Sequence, residues 1–275
     1  MKKSLLCACA VCLLMVTAVI PPKVYGKASV EEENTTGPGW ILGPFSISPK
    51  ISLAGGYDSN IYATRHDKIS DRFMVLAPSI EVNSTWKTHK LKLSTGAAVN
   101  RFDKYSSEDT EDYWLDGSGR YDLDTQNNIF GGVSFRQEHE ERGAPDDAAG
   151  LEPALYLSSG FHLGTEFVIH KLSFKMGGTL KSLDFDDVPT LTSSIDNDDR
   201  DRRLSGAGIR ARYLLSEGFS PFCQLIYDQR RYDQRLDYAG FRRDSDGYRM
   251  ALGIKSRMTT LSSEVSVGYL LQDYN

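Results

Sequence analysis

Apolar and polar residues alternate along much of this chain with a period of two. The clearest stretch begins at Ser46, where one set of alternate positions is mostly apolar and the other is small or polar. The first set is Ile47, Pro49, Ile51, Leu53, Gly55 and Tyr57, and the second is Ser48, Lys50, Ser52, Ala54 and Gly56. Successive side chains of a β-strand point to opposite faces of its sheet, so the pattern predicts a strand with one apolar face.

The same alternation recurs and predicts eleven strands. Three of the later strands are as clear as the first, over residues 74–85, 90–100 and 112–123. Seven more have less uniform faces, so their register stays open by one residue. They centre on Val133, Leu157, Phe174, Ile209, Leu225, Leu252 and Val267.

Long, charged connections alternate with short ones. The long ones are residues 58–72, 103–111, 139–152, 182–202 and 233–245. The short ones are Lys87-Thr88, Asp124–Asn127, Gly164-Thr165, Ser216–Ser220 and Met258–Thr260. This is typical of a membrane β-barrel, which has short turns at the periplasmic rim and long loops at the outer rim.

The predicted strand length separates a membrane barrel from a soluble β-sandwich, which would share the alternation. Strands of soluble proteins usually have about 5 to 6 residues. An eleven-residue strand tilted near 40° rises roughly 28 Å, close to the roughly 25 Å apolar band of outer-membrane barrels. The predicted fold class is therefore all-β, a transmembrane antiparallel up-and-down β-barrel over residues 46–275.

The first residues predict export. Lys2 and Lys3 precede an apolar run from Leu5 to Ile20, and small residues end near Gly26, so residues 1–26 form a predicted signal peptide. A membrane anchor is the competing interpretation, but Pro21-Pro22 ends the run short of the roughly 20 residues that a spanning helix needs. A lipoprotein would use Cys12, whose preceding residues fit poorly. Residues 27–45 are predicted to be a flexible periplasmic segment.

Removal of residues 1–26 takes away three lysines and no acid, so the formal net charge falls from −5 to −8. Three of the four cysteines leave with them, which leaves Cys223 alone and excludes an intrachain disulfide. The exported part must then be held together by its sheet or core alone.

The first hairpin resembles a known family. Gly56-Tyr57-Asp58-Ser59-Asn60-Ile61-Tyr62 is followed after a loop by Leu76-Ala77-Pro78-Ser79-Ile80. These segments resemble the start of the putative beta-barrel porin 2 family. The resemblance implies an outer-membrane barrel, often associated with export of capsular or other extracellular polysaccharide, and it implies transport only loosely. Family members are longer and single-chain barrels have even strand numbers, so we expect either missing C-terminal strands or a strand count that is wrong by one.

The strand faces opposite the apolar ones carry many charges. Burying Arg or Lys against lipid at the bilayer midplane costs about 2–4 kcal/mol each, so these residues are predicted to line the lumen and to set selectivity. They are Lys90, Lys92, Arg120, Arg136, Lys175, Arg210, Arg212, Arg249, Lys255, Asp112, Asp116, Asp122 and Glu138. The alternative is that opposite charges pair and rigidify a filled barrel.

Catalysis, cofactors and metals are not predicted. The five histidines are scattered, and His139 lacks the second histidine of a zinc-protease motif. The stretch 182–202 is rich in Asp, but residues 196–207 fail as a calcium loop, because Asp201 and Ala207 stand where Gly and Glu are needed. It is predicted to be a solvated outer loop. The basic residues near Arg230 alternate with acids, which does not indicate nucleic acid.

The leading functional hypothesis is a porin-type barrel that passes a hydrophilic solute or exports a polysaccharide. The rival is a non-conducting structural or assembly-partner barrel, and a third reading is a soluble periplasmic sandwich. The expected partners are outer-membrane lipid, lipopolysaccharide, the transported solute or polysaccharide, and other envelope proteins.

Overall fold

The computed structural model describes residues 39–145, 147, 149–216, 218–257 and 262–274. The predicted signal peptide and most of the segment 27–45 lie outside these residues. The described part holds fourteen strands and two single-turn 3-10 helices. They are β1 (Trp40–Leu42), β2 (Phe45–Asp58), β3 (Asp71–Ser84), β4 (Lys90–Phe102), η1 (Ser106–Glu108), β5 (Thr110–Asp122), β6 (Asn128–His139), β7 (Leu155–Ile169), β8 (Leu172–Phe185), β9 (Val188–Pro189), β10 (Ser194–Ile195), η2 (Asp198–Arg200), β11 (Arg202–Tyr213), β12 (Phe219–Tyr232), β13 (Ser245–Arg257) and β14 (Ser262–Tyr274).

Twelve strands form one antiparallel sheet in which each strand pairs with its neighbours in the chain. The order is β1 to β8 and then β11 to β14, while β9 and β10 form a separate small hairpin. This is an up-and-down β fold, as the sequence predicts. In the described sheet β2 and β14 do not pair with each other, so it is not closed.

Eleven of the sheet strands are long, with 12 to 15 residues each. Each of the eleven predicted strands falls on one of them, and the predicted centres, such as Val133 in β6 and Val267 in β14, lie inside them. The alternation works as a signal here because one face of each long strand is mostly apolar. None of the helices in the described part is long and apolar enough to span a membrane.

The apolar face of the sheet is open to its surroundings. Leu53 on β2 lies opposite Leu76 on β3, which lies opposite Val99 on β4, and the same continuity holds across β12 to β14. Leu53, Leu252 and Val267 are 69%, 64% and 59% exposed. An apolar surface of this extent is characteristic of a protein that faces a membrane or a partner rather than water.

Charged residues on the apolar face lie at one level only. In eight of the long strands, the second residue from the long-loop end is charged and belongs to this face. These residues are Arg72, Arg101, Glu111, Asp184, Arg203, Arg231, Asp246 and Asp273. Ten to twelve residues of each strand lie below this ring, a rise of roughly 29 Å at a tilt near 40°. The uncharged part of the face therefore matches the height of the apolar band of an outer membrane.

The connections alternate in length as predicted. Residues 59–70, 103–109, 140–154, 186–201 and 233–244 are the long loops, and residues 85–89, 123–127, 170–171 and 214–218 are short turns. The predicted loop 182–202 is shorter than expected, because β8 continues to Phe185. The predicted turn at Met258–Thr260 lies outside the described residues.

The turn predicted at Gly164-Thr165 is wrong. Both residues lie inside β7, and the chain turns instead at His170 and Lys171, with His170 in the left-handed region at φ +55°. Gly164 has a packing role: a Cβ there would come within 2.4 Å of the Phe130 ring on the neighbouring strand. Glycine marks a close approach at this position, which a sequence pattern does not distinguish from a turn.

A short strand lies at the described end of the segment 27–45, whose flexibility stays a prediction. Trp40–Leu42 forms β1 and pairs with Phe45–Ile47 across a tight turn. Gly43 enables this turn because it takes a left-handed conformation at φ +57°. The side chains of β1 remain exposed.

Candidate functional site

The pairing of the strands places all thirteen predicted lumen residues on one face of the sheet, the polar face. Residues directly opposite each other in paired strands share a face, so the register can be followed from strand to strand. Lys90 lies opposite Arg120, and Asp116 lies opposite Ser134, which leads to Arg136 two residues along β6. The same steps lead through β7 to Lys175, and on to Arg210, Arg249 and Lys255. Their role in selectivity stays a prediction.

On β3 to β6, most of the bases of the polar face are paired with acids. The Lys92 Nζ lies 2.7 Å from the Glu81 carboxylate on β3. The guanidinium of Arg120 lies 2.8 Å from Asp122 on its own strand. Arg136 donates to Asp116 across the β5–β6 pair at 2.6 Å. These side chains are partly exposed, so each ion pair contributes only about 0–1 kcal/mol of stability. Each pair nevertheless neutralises the positive charge of its base.

The remaining predicted acids are anchored near the long loops. Asp112 accepts a hydrogen bond from the backbone N–H of His139 at 3.0 Å, and its carboxylate lies 2.9 Å from the His139 Nδ1. Glu138 accepts a hydrogen bond from the Tyr156 hydroxyl at 3.1 Å.

One ion pair crosses the polar face over two intervening strands. Arg210 on β11 lies 2.7 Å from the carboxylate of Glu264 on β14, and its guanidinium stacks 3.6 Å above the Phe222 ring. Their backbones are three strand spacings apart and displaced by four residues, roughly 19 Å on a flat sheet. The contact therefore indicates that the sheet curves toward its polar face, which makes that face the inner one.

The register also adds charged residues that sequence analysis missed on this face. They are Asp58, Asp71, Glu166, Lys181, Arg202, Asp228, Arg230, Arg257 and Glu264, and they join Lys50 and Glu81, which the sequence alternation already places on this face. Several lie in strands whose sequence alternation is weak, such as β8 and β12. Pairing with a well-defined neighbouring strand is the signal that fixes their register.

The two halves of the polar face differ in charge. On β2 to β7, the acidic half, eight carboxylates face five bases. On β8 and β11 to β14, the cationic half, nine bases face two carboxylates. The bases of the cationic half are Lys175, Lys181, Arg202, Arg210, Arg212, Arg230, Arg249, Lys255 and Arg257, and its acids are Asp228 and Glu264.

A groove of about 500 Å³ lies on the cationic half, between β8 and β13. Its floor includes Gly177, Gly206 and Gly208, which have no side chains to fill it, and its walls carry Lys181 and Arg230 among other residues. The cationic half therefore combines positive charge with open space.

The long loops pack together at one rim into a structure that we call the loop crown, residues 59–70, 103–109, 140–154, 186–201 and 233–244. Its centre is a buried ion pair between Glu108 and Arg142, with side chains only 3% and 9% exposed. Arg142 donates to both carboxylate oxygens at 2.7 and 2.6 Å and to the Gly150 carbonyl at 2.9 Å. Its guanidinium also lies 5.8 Å from the centre of the Tyr62 ring. Burial alone would lower the pKa of Arg142, but the hydrogen bond and charge of Glu108 outweigh it and raise that pKa. Three loops are joined here.

A second cluster joins the other loops. Arg200 donates to Glu140 at 2.5 Å and stacks 4.1 Å over the Phe185 ring. The backbone N–H of Tyr238 donates to the Asp199 carboxylate at 3.1 Å. Loop 186–201 is thereby tied to loop 140–154 on one side and to loop 233–244 on the other.

The segment 182–202, predicted to be a solvated loop, is solvated only in part: ten of its residues are exposed and five are buried. Val188, Asn197 and Arg200 are buried, and Asn197 donates to the Asp186 carbonyl at 2.9 Å. Charged loop sequences resemble solvated ones, but here distant loops supply the partners. The loop crown contains several of the buried residues of the described chain, whereas the sheet leaves most of its apolar side chains exposed.

Three carboxylates of this loop remain on its surface. Oxygens of Asp187, Asp196 and Asp198 lie within 4.8 Å of one another, and all three residues are exposed. The charge of Asp196 is the largest cause of a raised pKa at Asp198. Exposed acidic groups of this kind are common without a bound cation, so the cluster is not interpreted as a metal centre.

Comparisons with known proteins agree with this architecture at the level of the family. The family model described as putative beta-barrel porin 2 matches residues 36–275. No curated protein matches the chain. Among solved structures, the chain is similar to the translocator domain of the autotransporter NalP from Neisseria meningitidis, with 13% identity over 81% of this chain and 86% of that one. The TM-score is 0.33, so this likeness carries no argument here.

Proposed function

The chain belongs to the putative beta-barrel porin 2 family and is an outer-membrane β-barrel protein, and from this premise we propose that it forms a water-filled pore. The pore passes a hydrophilic solute or a segment of an extracellular polysaccharide. Residues 1–26 direct its export, and the barrel has no catalytic role. Its long loops face outward, in contact with lipopolysaccharide.

The observation that carries this proposal is the separation of charge between the two faces of the sheet. Below the charged ring, the apolar face has no formal charge in the described long strands, while the polar face carries charges along its whole height. A polar inner surface of this kind suits a wet channel, and hydrogen-bonding and charged side chains along a pore are what select solutes.

Closure of the sheet is part of the proposal. An exposed strand edge is not tolerated against lipid, because the bilayer core has no water to satisfy its backbone groups. The edges of β2 and β14 must therefore be paired in the membrane for a pore to exist.

Conductance of the full-length protein in planar bilayers is the experiment that tests the pore. We expect discrete, ohmic channel openings that require the folded protein and are absent after heat denaturation. Correctly inserted protein that never conducts would refute the proposal.

The second candidate is a non-conducting structural or assembly-partner barrel. The ion pair from Arg210 to Glu264 favours it, because side chains that meet across the polar face narrow the lumen. The loop crown would then serve as a surface for other envelope proteins. Inserted protein that shows no conductance, together with envelope proteins that co-purify only when the crown is intact, would support this candidate instead.

A further inference from the structure

We infer that the pore is selective for anions and that the cationic half of its polar face sets this selectivity. The inference rests on the proposed pore and names the class of solute: sugars or other hydrophilic molecules that carry carboxylate, phosphate or sulfate groups. It follows from the distribution of unpaired charge on the inner face.

The bases of the two halves differ in their partners. On the acidic half, Lys92, Arg120 and Arg136 each contact a carboxylate. On the cationic half, Arg210 lies 2.7 Å from Glu264 and Arg249 lies 3.1 Å from Asp228.

Besides Lys175 and Arg257, four bases of the cationic half have no carboxylate within ion-pair distance in the described part of the chain. They are Lys181, Arg212, Arg230 and Lys255. Arg212 reaches only the Ser173 hydroxyl, at 3.5 Å. Their charges are left to act on whatever occupies the lumen.

The four bases are spread along the height of the sheet. Lys181 and Arg230 lie near the loop crown, on opposite sides of Leu204 in the same row of the sheet. This row borders the groove whose floor is glycine, so an anionic group can approach both cations. Arg212 and Lys255 lie near the short turns. An anion that moves through the lumen therefore meets free positive charge at both ends.

The acidic loops do not cancel this effect. They stand at the outer rim in water, where charges farther apart than about 8 Å are largely screened at physiological salt. Inside a narrow lumen with low-dielectric walls, the field of fixed charges is focused and raises the local concentration of counter-ions. The net charge of −5 for the whole chain therefore does not predict the selectivity of the pore.

The test is the reversal potential of the full-length protein in a planar bilayer under a potassium chloride gradient. We expect a reversal potential whose sign shows that chloride permeates more readily than potassium. The variant Lys181→Gln, Arg212→Gln, Arg230→Gln and Lys255→Gln should move the reversal potential toward or past zero at similar single-channel conductance. A conducting wild-type pore that selects potassium would overturn the inference and leave the proposed pore intact.

A matched control removes the same number of charges from exposed loop positions. The variant Arg65→Gln, Lys68→Gln, Arg235→Gln and Arg242→Gln should keep the wild-type reversal potential. An equal shift in this control would overturn the assignment to the cationic half. Absence of any conductance would instead refute the proposed pore on which the inference depends.

A second measurement needs no variant and remains informative if the fourfold variant does not fold. Trigalacturonate and maltotriose have the same number of sugar rings and differ in charge. We expect trigalacturonate to block the current of the wild-type pore at lower concentration than maltotriose. Equal blocking by both sugars would contradict anion selectivity.

Discussion

Replacement of Arg142 by methionine removes the cation at the centre of the loop crown while it keeps much of the side-chain length. In the structure this arginine donates one hydrogen bond to each oxygen of the Glu108 carboxylate. The side chain of Arg142 is 9% exposed and that of Glu108 is 3% exposed. The variant leaves a buried carboxylate without its counter-charge. We expect the loops around residues 103–109 and 140–154 to open while the sheet stays folded.

The size of the effect follows from the burial of the pair. Breaking a buried ion pair on one side typically costs about 3–5 kcal/mol. At about 1.4 kcal/mol per factor of ten, local opening of these loops should increase between about one hundredfold and four thousandfold. Where the local stability of the loops is smaller than this cost, they lose protection altogether.

Hydrogen exchange followed by mass spectrometry, with the protein in detergent micelles, measures this opening peptide by peptide. Peptides from the three loops joined at Arg142 should exchange faster, whereas peptides from β12 to β14 should not change. The control Arg203→Met makes the same substitution at an exposed position whose carboxylate partner lies 3.9 Å away, and its effect should be within about 0–1 kcal/mol.

A double variant separates charge from packing. Glu108→Gln combined with Arg142→Met removes both charges, and neutral replacement of a buried ion pair is often tolerated. Most of the lost protection should therefore return. Unchanged exchange in the single variant, or equal damage in the double variant, would refute the view that this ion pair holds the loops together.

Three further results are expected. Leu252→Arg, on the apolar face near the middle of β13, should cost about 2–4 kcal/mol of folding stability in bilayers. Ala251→Arg, on the polar face of the same strand, should be tolerated. Equal losses of stability for the two variants in a urea titration would contradict the assignment of faces. Burial, with added repulsion from Asp184 and Asp198, raises the pKa of Asp201 from 3.8 to about 6, so the stabilisation linked to its protonation is present below about pH 4 and is lost as the pH rises through 6. Asp201→Asn should then flatten the fall in melting temperature between about pH 4 and 6, and an unchanged pH profile would show that the group does not titrate there. Cys223, exposed on the apolar face, should resist a charged, water-soluble thiol reagent in liposomes and react after denaturation; rapid labelling in the membrane would place it in water.

The long strands and their faces could be predicted from sequence because both depend on a local rule. In β13 and β14, Leu252 and Val267 lie opposite each other on the apolar face, as a period of two requires when one face must be apolar. The thirteen predicted charged residues share the other face for the same reason. A shift of the strand register by one residue would turn a base toward the lipid, which costs about 2–4 kcal/mol for each Arg or Lys at the bilayer midplane.

Other features depend on contacts between distant parts of the chain. Glu108 and Arg142 are 34 residues apart in two loops whose composition looks solvated, and nothing local indicates that they are buried together. Gly164 looked like a turn because its role, making room for Phe130, belongs to the neighbouring strand. The charge difference between the two halves emerges only when pairing has fixed the register of Lys181 and Arg230.

The most direct test of which solvent meets each face is a spin-label scan along β3. Single cysteines are placed in turn at residues 74–82 on a Cys223→Ser background, and the labelled protein is reconstituted into liposomes. Labels at even positions, on the face of Leu76 and Ile80, should collide with oxygen dissolved in lipid, and labels at odd positions, on the face of Ser79, should collide with a water-soluble nickel complex. Nickel accessibility that is equal at both sets of positions, or higher at the even ones, would contradict a membrane barrel with an aqueous interior.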